Sequence, residues 1–104
     1  MSCPVVIRAR AELDVMEHAA FLSQDSPAVG QRFLEATARA FAKLGQMPLL
    51  GREREFDDPR LAGLRSYLIT HFENYVVFYL RTETGIDIIR VLHGAQDIEE
   101  LLKE

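Results

Sequence analysis

The sequence predicts an α+β fold in which a helical hairpin packs against an antiparallel sheet. Apolar residues recur at helical spacing in two segments near the N-terminus, separated by a short gap. Three β-patterned runs follow at residues 64–69, 75–80 and 86–92, with connections short enough for antiparallel hairpins. The length of 104 residues suits one domain spanning residues 1–104.

Composition excludes some classes of function. The net charge of −4 argues against a protein whose main role is to hold nucleic acid, because phosphate contacts need a basic surface. The single cysteine, Cys3, excludes an intrachain disulfide, and we interpret it as a packing residue. Neither a signal-peptide pattern nor an apolar run long enough for a membrane span is present. We therefore expect a cytoplasmic protein without a cofactor or metal.

A strand followed by a helix is predicted at the start of the chain. Residues 5–7 are β-branched and predict a strand. A helix is expected over residues 11–22, where Leu13, Met16 and Ala20 fall at helical spacing and predict the buried face. The stripe is widened by Val15, Ala19 and Leu22. His18 lies in this helix without ligand spacing around it, so we expect a surface or boundary histidine.

A second helix is predicted from Ser26 and Pro27 to about Leu44. Serine caps free amide groups, and proline fits the first helical position because its missing N–H is not needed there. Gly45 is a suitable stop signal. The apolar stripe comprises Val29, Phe33, Ala36, Ala40 and Leu44, with Leu34, Thr37 and Phe41 beside it. The short gap between the helices predicts an antiparallel hairpin.

The stretch of residues 46–60 is predicted to be irregular. Its dense mixed charges are typical of a solvated loop. Glu53 and Glu55 would be candidate general bases in a nuclease, but alternating charge alone favours the solvated loop.

The predicted sheet carries one arginine on its first strand, Arg65, and one on its third, Arg90. They would either line a shared groove or pair with carboxylates such as Asp87 or Asp97. Since an unpaired buried arginine is costly, we expect both on the less covered face or at its rim. Strand alternation places His93 on the face opposite Arg90.

The C-terminal segment is predicted to form a short acidic amphipathic helix or turn over residues 97–103. Its apolar side comprises Ile98, Leu101 and Leu102, following Gly94, which breaks the last strand. Because so short a helix is marginal alone, it must dock on the body or on a partner.

Several segments together suggest a family. They are Pro27-Ala28, Met47-Pro48-Leu49-Leu50-Gly51, Gly63-Leu64-Arg65, Tyr75-Val76-Val77-Phe78-Tyr79, and Ile89-Arg90-Val91-Leu92-His93-Gly94 with Asp97. In this order and spacing they resemble the RelE/ParE superfamily of toxins from type II toxin–antitoxin systems, over nearly the whole chain. The final segment resembles the ParE branch in particular.

The resemblance implies two different activities. RelE-like members are ribosome-dependent mRNA endonucleases, which would make Arg65 and Arg90 phosphate-binding residues and His93 the acid or base. ParE-like members poison DNA gyrase. We favour the ParE interpretation because the lysine cluster of the RelE branch is missing. This interpretation predicts a gyrase poison rather than a nuclease. A third possibility is an inactive homologue that only binds antitoxin.

The resemblance also implies partners. A ParD-like cognate antitoxin would wrap the toxin in a hetero-oligomer, and operator DNA would be reached only through that antitoxin. The residues expected to contact the target or a partner are Arg65, Arg90, His93, Asp97, Ile98, Leu101 and Leu102.

Overall fold

The computed structural model describes residues 4–103 and confirms the α+β prediction. The elements in chain order are β1 (Val5–Ile7), α1 (Ala9–Asp25), α2 (Pro27–Gln46), β2 (Arg52–Glu53), a 3-10 helix (Pro59–Leu61), β3 (Arg65–Ile69), β4 (Phe72–Arg81), β5 (Ile86–His93) and α3 (Ile98–Leu102). The strands form one sheet of order β1-β5-β4-β3-β2. Strand β1 runs parallel to β5 and the other neighbours are antiparallel. Cys3 lies outside the described residues.

The helical hairpin forms as predicted. The Ser26 side chain accepts a hydrogen bond from the Val29 N–H at 3.4 Å and begins α2, with Pro27 at its first position. The helices approach closely at Gly30, where an added Cβ would lie 2.9 Å from the Ala19 carbonyl oxygen. Helix α2 continues through Gly45 to Gln46, one residue past the predicted stop. No helix within residues 4–103 is long and apolar enough to cross a membrane.

The predicted core stripe of α1 is wrong in its centre, although its flanking residues Val15, Ala19 and Leu22 do pack against the core. Leu13 and Met16 are 49% and 67% exposed, whereas Ala11, Asp14 and Ala19 are buried. The alternative stripe with spacing i, i+4, i+8, i+11 faces the sheet, and it contains Ala11, Val15, Ala19 and Leu22. The larger side chains Leu13 and Met16 predicted the wrong buried face, because helical periodicity alone does not show which apolar face of a helix is covered.

Both faces of the sheet are covered. The helices pack over one face in a first core that includes Phe33, Leu44, Val77 and Tyr79. The second core lies on the opposite face under the segment around the 3-10 helix and under α3. It comprises Leu61, Leu64, Val76, Phe78, Ile89, Leu92 and Leu102, with Phe56, Leu80, Ile98 and Leu101 against it. Neither face of the central strand β4 is free, which explains its apolar pattern on both sides.

A register shift in β5 overturns the face assignment made from strict alternation. Tyr79 pairs with Ile88 but Phe78 pairs with Arg90, so Ile89 is an extra residue. Ile86 and Ile88 therefore share the helix-covered face with Val91, although strict alternation along β5 would put Val91 on the opposite face from them. Alternation cannot reveal a bulge, because the period of two is interrupted by one residue.

The predicted irregular stretch 46–60 contains two short elements that the sequence did not reveal. Strand β2 pairs with β3 through Arg52 and Ser66 and through Glu53 and Arg65. The 3-10 helix follows, and Asp58 begins it by accepting a hydrogen bond from the Arg60 N–H at 2.9 Å. The turn between β3 and β4 is also tighter than predicted, because β4 already begins at Phe72.

Candidate functional site

The structure separates the two candidate arginines onto opposite faces of the sheet. Arg65 pairs in register with Tyr79, a member of the helix-side core, whereas Arg90 pairs with Phe78 of the second core. The alternative of a shared groove is therefore wrong. The prediction that both arginines lie on the less covered face or at its rim is also wrong, because Arg65 lies on the helix-covered face.

Arg90 forms a buried ion pair with Asp14 of α1. The guanidinium Nε and Nη2 donate to the two carboxylate oxygens at 2.7 and 3.0 Å, and only 2% of Arg90 and 3% of Asp14 is exposed. Such bidentate pairing is the geometry that a planar guanidinium favours. The predicted bracing role is therefore right for Arg90, but its partner is Asp14 rather than Asp87 or Asp97. Asp87 instead pairs with Arg8 at the surface.

Helix α1 also provides hydrogen-bond partners for the outer edge of β5. Strand β1 pairs only with Ile86–Ile88, so the outer edge of β5 would be unpaired beyond that point. The Val91 N–H donates to Asp14 Oδ2 at 3.0 Å, and His18 Nε2 donates to the Val91 carbonyl at 2.8 Å. Because a carbonyl only accepts, His18 carries a proton on Nε2. Two side chains one helical turn apart thus replace the missing strand.

Arg90 also fixes the C-terminal helix. Its Nη1 donates to the Leu101 carbonyl at 2.8 Å, so a single guanidinium joins α1, β5 and α3. Leu102 is buried in the second core, and Ile98 and Leu101 are half-buried against it. The helix therefore docks on the body of the protein, and Asp97 is exposed at its start.

Arg65 holds a loop rather than lining a cleft. Its Nη1 donates to the carbonyls of Gly51 at 2.6 Å and Leu49 at 3.3 Å. The Tyr79 hydroxyl donates to the Pro48 carbonyl at 2.8 Å and accepts from the Gly51 N–H at 2.8 Å. A tyrosine hydroxyl is protonated at neutral pH and can therefore donate, and burial raises the pKa of Tyr79 above its usual value. Arg65 and Tyr79 thereby clamp the segment of residues 48–51.

His93 ends β5 in a defined orientation. The His93 ring nitrogen Nδ1 accepts a hydrogen bond from the Ala95 N–H at 3.0 Å. The His93 backbone N–H donates to the Gln96 side-chain oxygen at 2.6 Å. Its ring lies edge-on to Tyr75 at a centroid distance of 4.9 Å, and His18 contacts the same tyrosine at 4.9 Å. The Nδ1 atom is therefore engaged in stabilising the turn that leads to α3.

The candidate nuclease residues do not converge. Arg65 and His93 lie beside Tyr79 and Tyr75 of β4, positions four residues or about 13 Å apart along the strand. Arg90 is buried on the opposite face. Glu53 and Glu55 are exposed and make no ion pair with any residue in the range 4–103. Within that range there is also no group of three His, Cys, Asp or Glu side chains suited to a metal ion.

Sequence reasoning missed Asp14, His18 and Tyr79, which organise these contacts. A usable signal was present in α1, because Asp14 and His18 fall inside the apolar stripe of Ala11, Val15 and Ala19. Polar side chains within an apolar face need buried partners. For Tyr79 the sequence offers no comparable signal, since a tyrosine in an apolar strand is ordinary.

Replacing Asp14 tests the buried ion pair. Asp14→Ala should lower the free energy of unfolding by about 3–5 kcal/mol, because Arg90 stays buried without this carboxylate. Asp87→Ala, which breaks the exposed pair with Arg8, should cost less than about 1 kcal/mol. Urea unfolding followed by circular dichroism measures both. Equal losses in the two variants would contradict the assigned role of Asp14.

Replacing Gly51 tests the loop clamp. An added Cβ would lie 2.5 Å from the Tyr79 hydroxyl oxygen and 2.6 Å from its ring. Gly51→Ala should therefore destabilise the protein by about 1–3 kcal/mol. Gly94→Ala is the matched control, because its Cβ would meet only the Asn74 carbonyl at 3.6 Å and the change should stay within about 0.5 kcal/mol. Thermal unfolding that cannot separate the two variants would argue against the clamp.

The comparison with known families agrees with the fold and with the motifs. The family model described as the ParE toxin of type II toxin–antitoxin system, parDE, matches residues 5–98. The match runs from β1 to the start of α3, so it includes Arg65, Arg90 and His93. No individual curated protein matches the chain significantly. The chain therefore belongs to the ParE toxin family of type II toxin–antitoxin systems.

Proposed function

We propose that this toxin inhibits DNA gyrase in the cytoplasm and is neutralised by a cognate antitoxin. The observation that carries the proposal is the family match over residues 5–98, which reaches through the His93-Gly94 ending. The site geometry supports the same choice. Gyrase poisoning requires a protein-binding surface rather than an assembled set of catalytic groups.

The alternative, ribosome-dependent mRNA cleavage, has less support. It would need Arg65, Arg90 and His93 to surround one phosphate, yet the arginines lie on opposite faces and Arg90 is bound to Asp14. The sheet face opposite the helices is covered by the second core instead of being open to RNA. The net charge of −4 also disfavours a ribosomal RNA surface.

The C-terminal turn is our candidate for the target-binding surface. Asp97, Glu99 and Glu100 are exposed around α3, while Leu102 anchors it from below. Among the residues expected to bind the target, Asp97 is exposed, and His93, Ile98 and Leu101 are partly accessible beside it. Arg90, Leu102 and Arg65 would act by positioning this turn and the 48–51 loop. Because Leu102 completes the second core, removing residues 96–104 would damage the fold, so surface substitutions are the sharper test.

The gyrase proposal is tested with purified gyrase and supercoiled plasmid. The wild-type toxin should accumulate cleaved plasmid DNA, and Asp97→Lys with Glu99→Lys should reduce this cleavage about tenfold or more by reversing charge at the contact. Glu35→Lys with Glu83→Lys is the matched control, since both carboxylates are exposed elsewhere. Intact plasmid at high concentrations of wild-type toxin would refute gyrase inhibition. Codon-dependent cuts in a parallel primer-extension assay would instead identify a nuclease.

The outer face of α1 is our candidate antitoxin site. Leu13 and Met16 are 49% and 67% exposed, and Ala20 continues the stripe one turn further. An amphipathic helix of a partner commonly binds such a stripe through apolar residues at helical spacing. We propose that the antitoxin buries this stripe in a toxin–antitoxin hetero-oligomer that reaches operator DNA through the antitoxin alone.

Substitutions in this stripe test antitoxin binding. Leu13→Glu with Met16→Glu should weaken the complex with the antitoxin encoded beside the toxin by about 100-fold, because two apolar contacts would become buried charges. Met47→Glu is the matched control, since Met47 is 51% exposed at the end of α2. Isothermal titration calorimetry measures the affinities. An unchanged affinity in the double variant would place the antitoxin elsewhere.

A further inference from the structure

A cleft with aromatic walls lies near the end of α1, between the β3–β4 turn and the end of β5. Its volume is about 450 Å³, and it is lined by Leu22 of α1, the segment 71–75 and His93. Four of these side chains carry an aromatic ring, and none of them is a lysine or an arginine. The cleft therefore offers flat ring surfaces without a full positive charge.

A bulge in β4 brings two of the rings to the same face of the sheet. Leu68 and Ile69 are consecutive on β3, but their partners on β4 are Val76 and Phe72. Residues 73–75 therefore have no partner on β3, and both Phe72 and Tyr75 pack on the helix-covered side. The adjoining turn contains a histidine at position 71 with a φ of 72°, a conformation that residues other than glycine seldom adopt. Bulges and strained residues are both concentrated at functional sites.

The hydroxyl of Tyr75 is an unpaired donor in this cleft. The Tyr75 ring packs against Phe33, His18 and His93 at centroid distances of 4.9 Å, and only 7% of the residue is exposed. Its hydroxyl makes no hydrogen bond with any residue in the range 4–103, and it is not among the unpaired side-chain atoms of that range that are sealed from the surface. The hydroxyl therefore opens onto the cleft that Tyr75 lines.

The hydroxyl of Tyr75 is available to donate. A tyrosine hydroxyl is protonated at neutral pH, and burial raises the pKa of Tyr75 above its usual value. Polar groups of buried side chains normally have a hydrogen-bond partner. An unpaired hydroxyl on a side chain packed this tightly therefore indicates a ligand that accepts a hydrogen bond.

The ring of His93 supplies a second donor beside the first. Its Nδ1 accepts from the Ala95 N–H, so the neutral ring carries its proton on Nε2. Nε2 has no hydrogen-bond partner in the described part of the chain. His93 lies directly opposite Tyr75 in the β4–β5 register, so the two side chains are on the same face of the sheet. Two neighbouring donors thus await one or two acceptors.

The charge of the cleft favours a neutral acceptor. A carbonyl oxygen has two lone pairs and can accept from both donors. An anion would find no lysine or arginine in the lining, and it would meet the exposed carboxylate of Glu73, which forms no ion pair within residues 4–103. The ligand is therefore expected to present a carbonyl group rather than a carboxylate or a phosphate.

Proline suits the walls of this cleft better than other residues do. It has no backbone N–H, so its burial against two donors adds no third donor that would need a partner. Carbonyl groups of a polyproline II segment are free to accept, because this conformation has no internal hydrogen bonds. Grooves lined by aromatic rings are the usual binding sites for such segments.

We propose that this cleft binds a proline-containing segment of a protein partner in polyproline II conformation. One proline ring packs against Phe72 and Tyr75, and the carbonyl group before it accepts from the Tyr75 hydroxyl and from His93 Nε2. The cleft shares only His93 with the C-terminal turn and shares no residue with the exposed stripe of α1. Peptide binding is measured without gyrase or antitoxin, so this proposal holds or fails independently of the proposed function.

The test titrates the 15N-labelled full-length toxin with a blocked peptide of three Pro-Pro-Ala repeats. Amide shifts should concentrate at residues 71–75 and at His93 and Gly94. Tyr75→Phe should weaken the affinity about 3- to 10-fold, because it removes one neutral hydrogen bond and keeps the ring. Tyr67→Phe is the matched control, since Tyr67 is a half-buried tyrosine outside the cleft, and it should change the affinity less than twofold.

Thermal unfolding of the free toxin separates binding from a structural role. The Tyr75 hydroxyl has no partner among the described residues, so Tyr75→Phe should leave the unfolding midpoint unchanged. Tyr79→Phe should lower the midpoint, because it removes the hydrogen bonds to Pro48 and Gly51. A lower midpoint in Tyr75→Phe would overturn the assignment of its hydroxyl to a ligand.

Further arms distinguish other ligands. A peptide with alanine in place of every proline should bind at least tenfold more weakly, and Glu73→Lys should change the affinity for the proline peptide less than twofold, because the ligand is neutral. Equal affinities for the two peptides, equal losses in Tyr75→Phe and Tyr67→Phe, or shifts confined to other parts of the chain would overturn the proposal. Tighter binding of inorganic phosphate or of adenosine would overturn it in favour of an anion or a nucleobase.

Discussion

The buried ion pair between Asp14 and Arg90 is the interaction on which the arrangement of this toxin depends. Two charges removed from water are tolerated only when their hydrogen-bonding capacity is satisfied. Here Asp14 accepts from Arg90 and from the Val91 N–H, while Arg90 also donates to the Leu101 carbonyl. The pair thereby sets the position of α1 against β5 and of α3 against the sheet. A charged residue that suggested an active site in the sequence instead connects three elements of the fold.

Coverage of both sheet faces limits where function can reside. The helices occupy one face, and the 3-10 segment with α3 occupies the other, so no broad catalytic surface is left on β4. The accessible features lie at the periphery. They are the apolar stripe on α1 and the acidic C-terminal turn.

Two sets of contacts hold irregular segments against the sheet. The C-terminal turn is held by Arg90 and by burial of Leu102. The 48–51 loop is held by Arg65 and by the Tyr79 hydroxyl, whose close approach requires the absence of a side chain at Gly51. In each case a side chain from the sheet donates to backbone carbonyls that have no strand partner. Rigid sheet strands thus position irregular segments at the edge of the molecule.

The sequence by itself determined the α+β class, the hairpin begun by Ser26 and Pro27, the three long strands and the ParE resemblance. These follow from periodicity, capping and motif order, which are local properties. The tertiary structure alone decided which face of α1 is buried, that Ile89 is an extra residue in β5, and that Arg65 and Arg90 lie on opposite faces. It also supplied Asp14 as the partner of Arg90, 76 residues away in the chain. The physical reason is that an ion pair, a bulge and a covered face depend on groups brought together only by packing, and no local pattern encodes their distance.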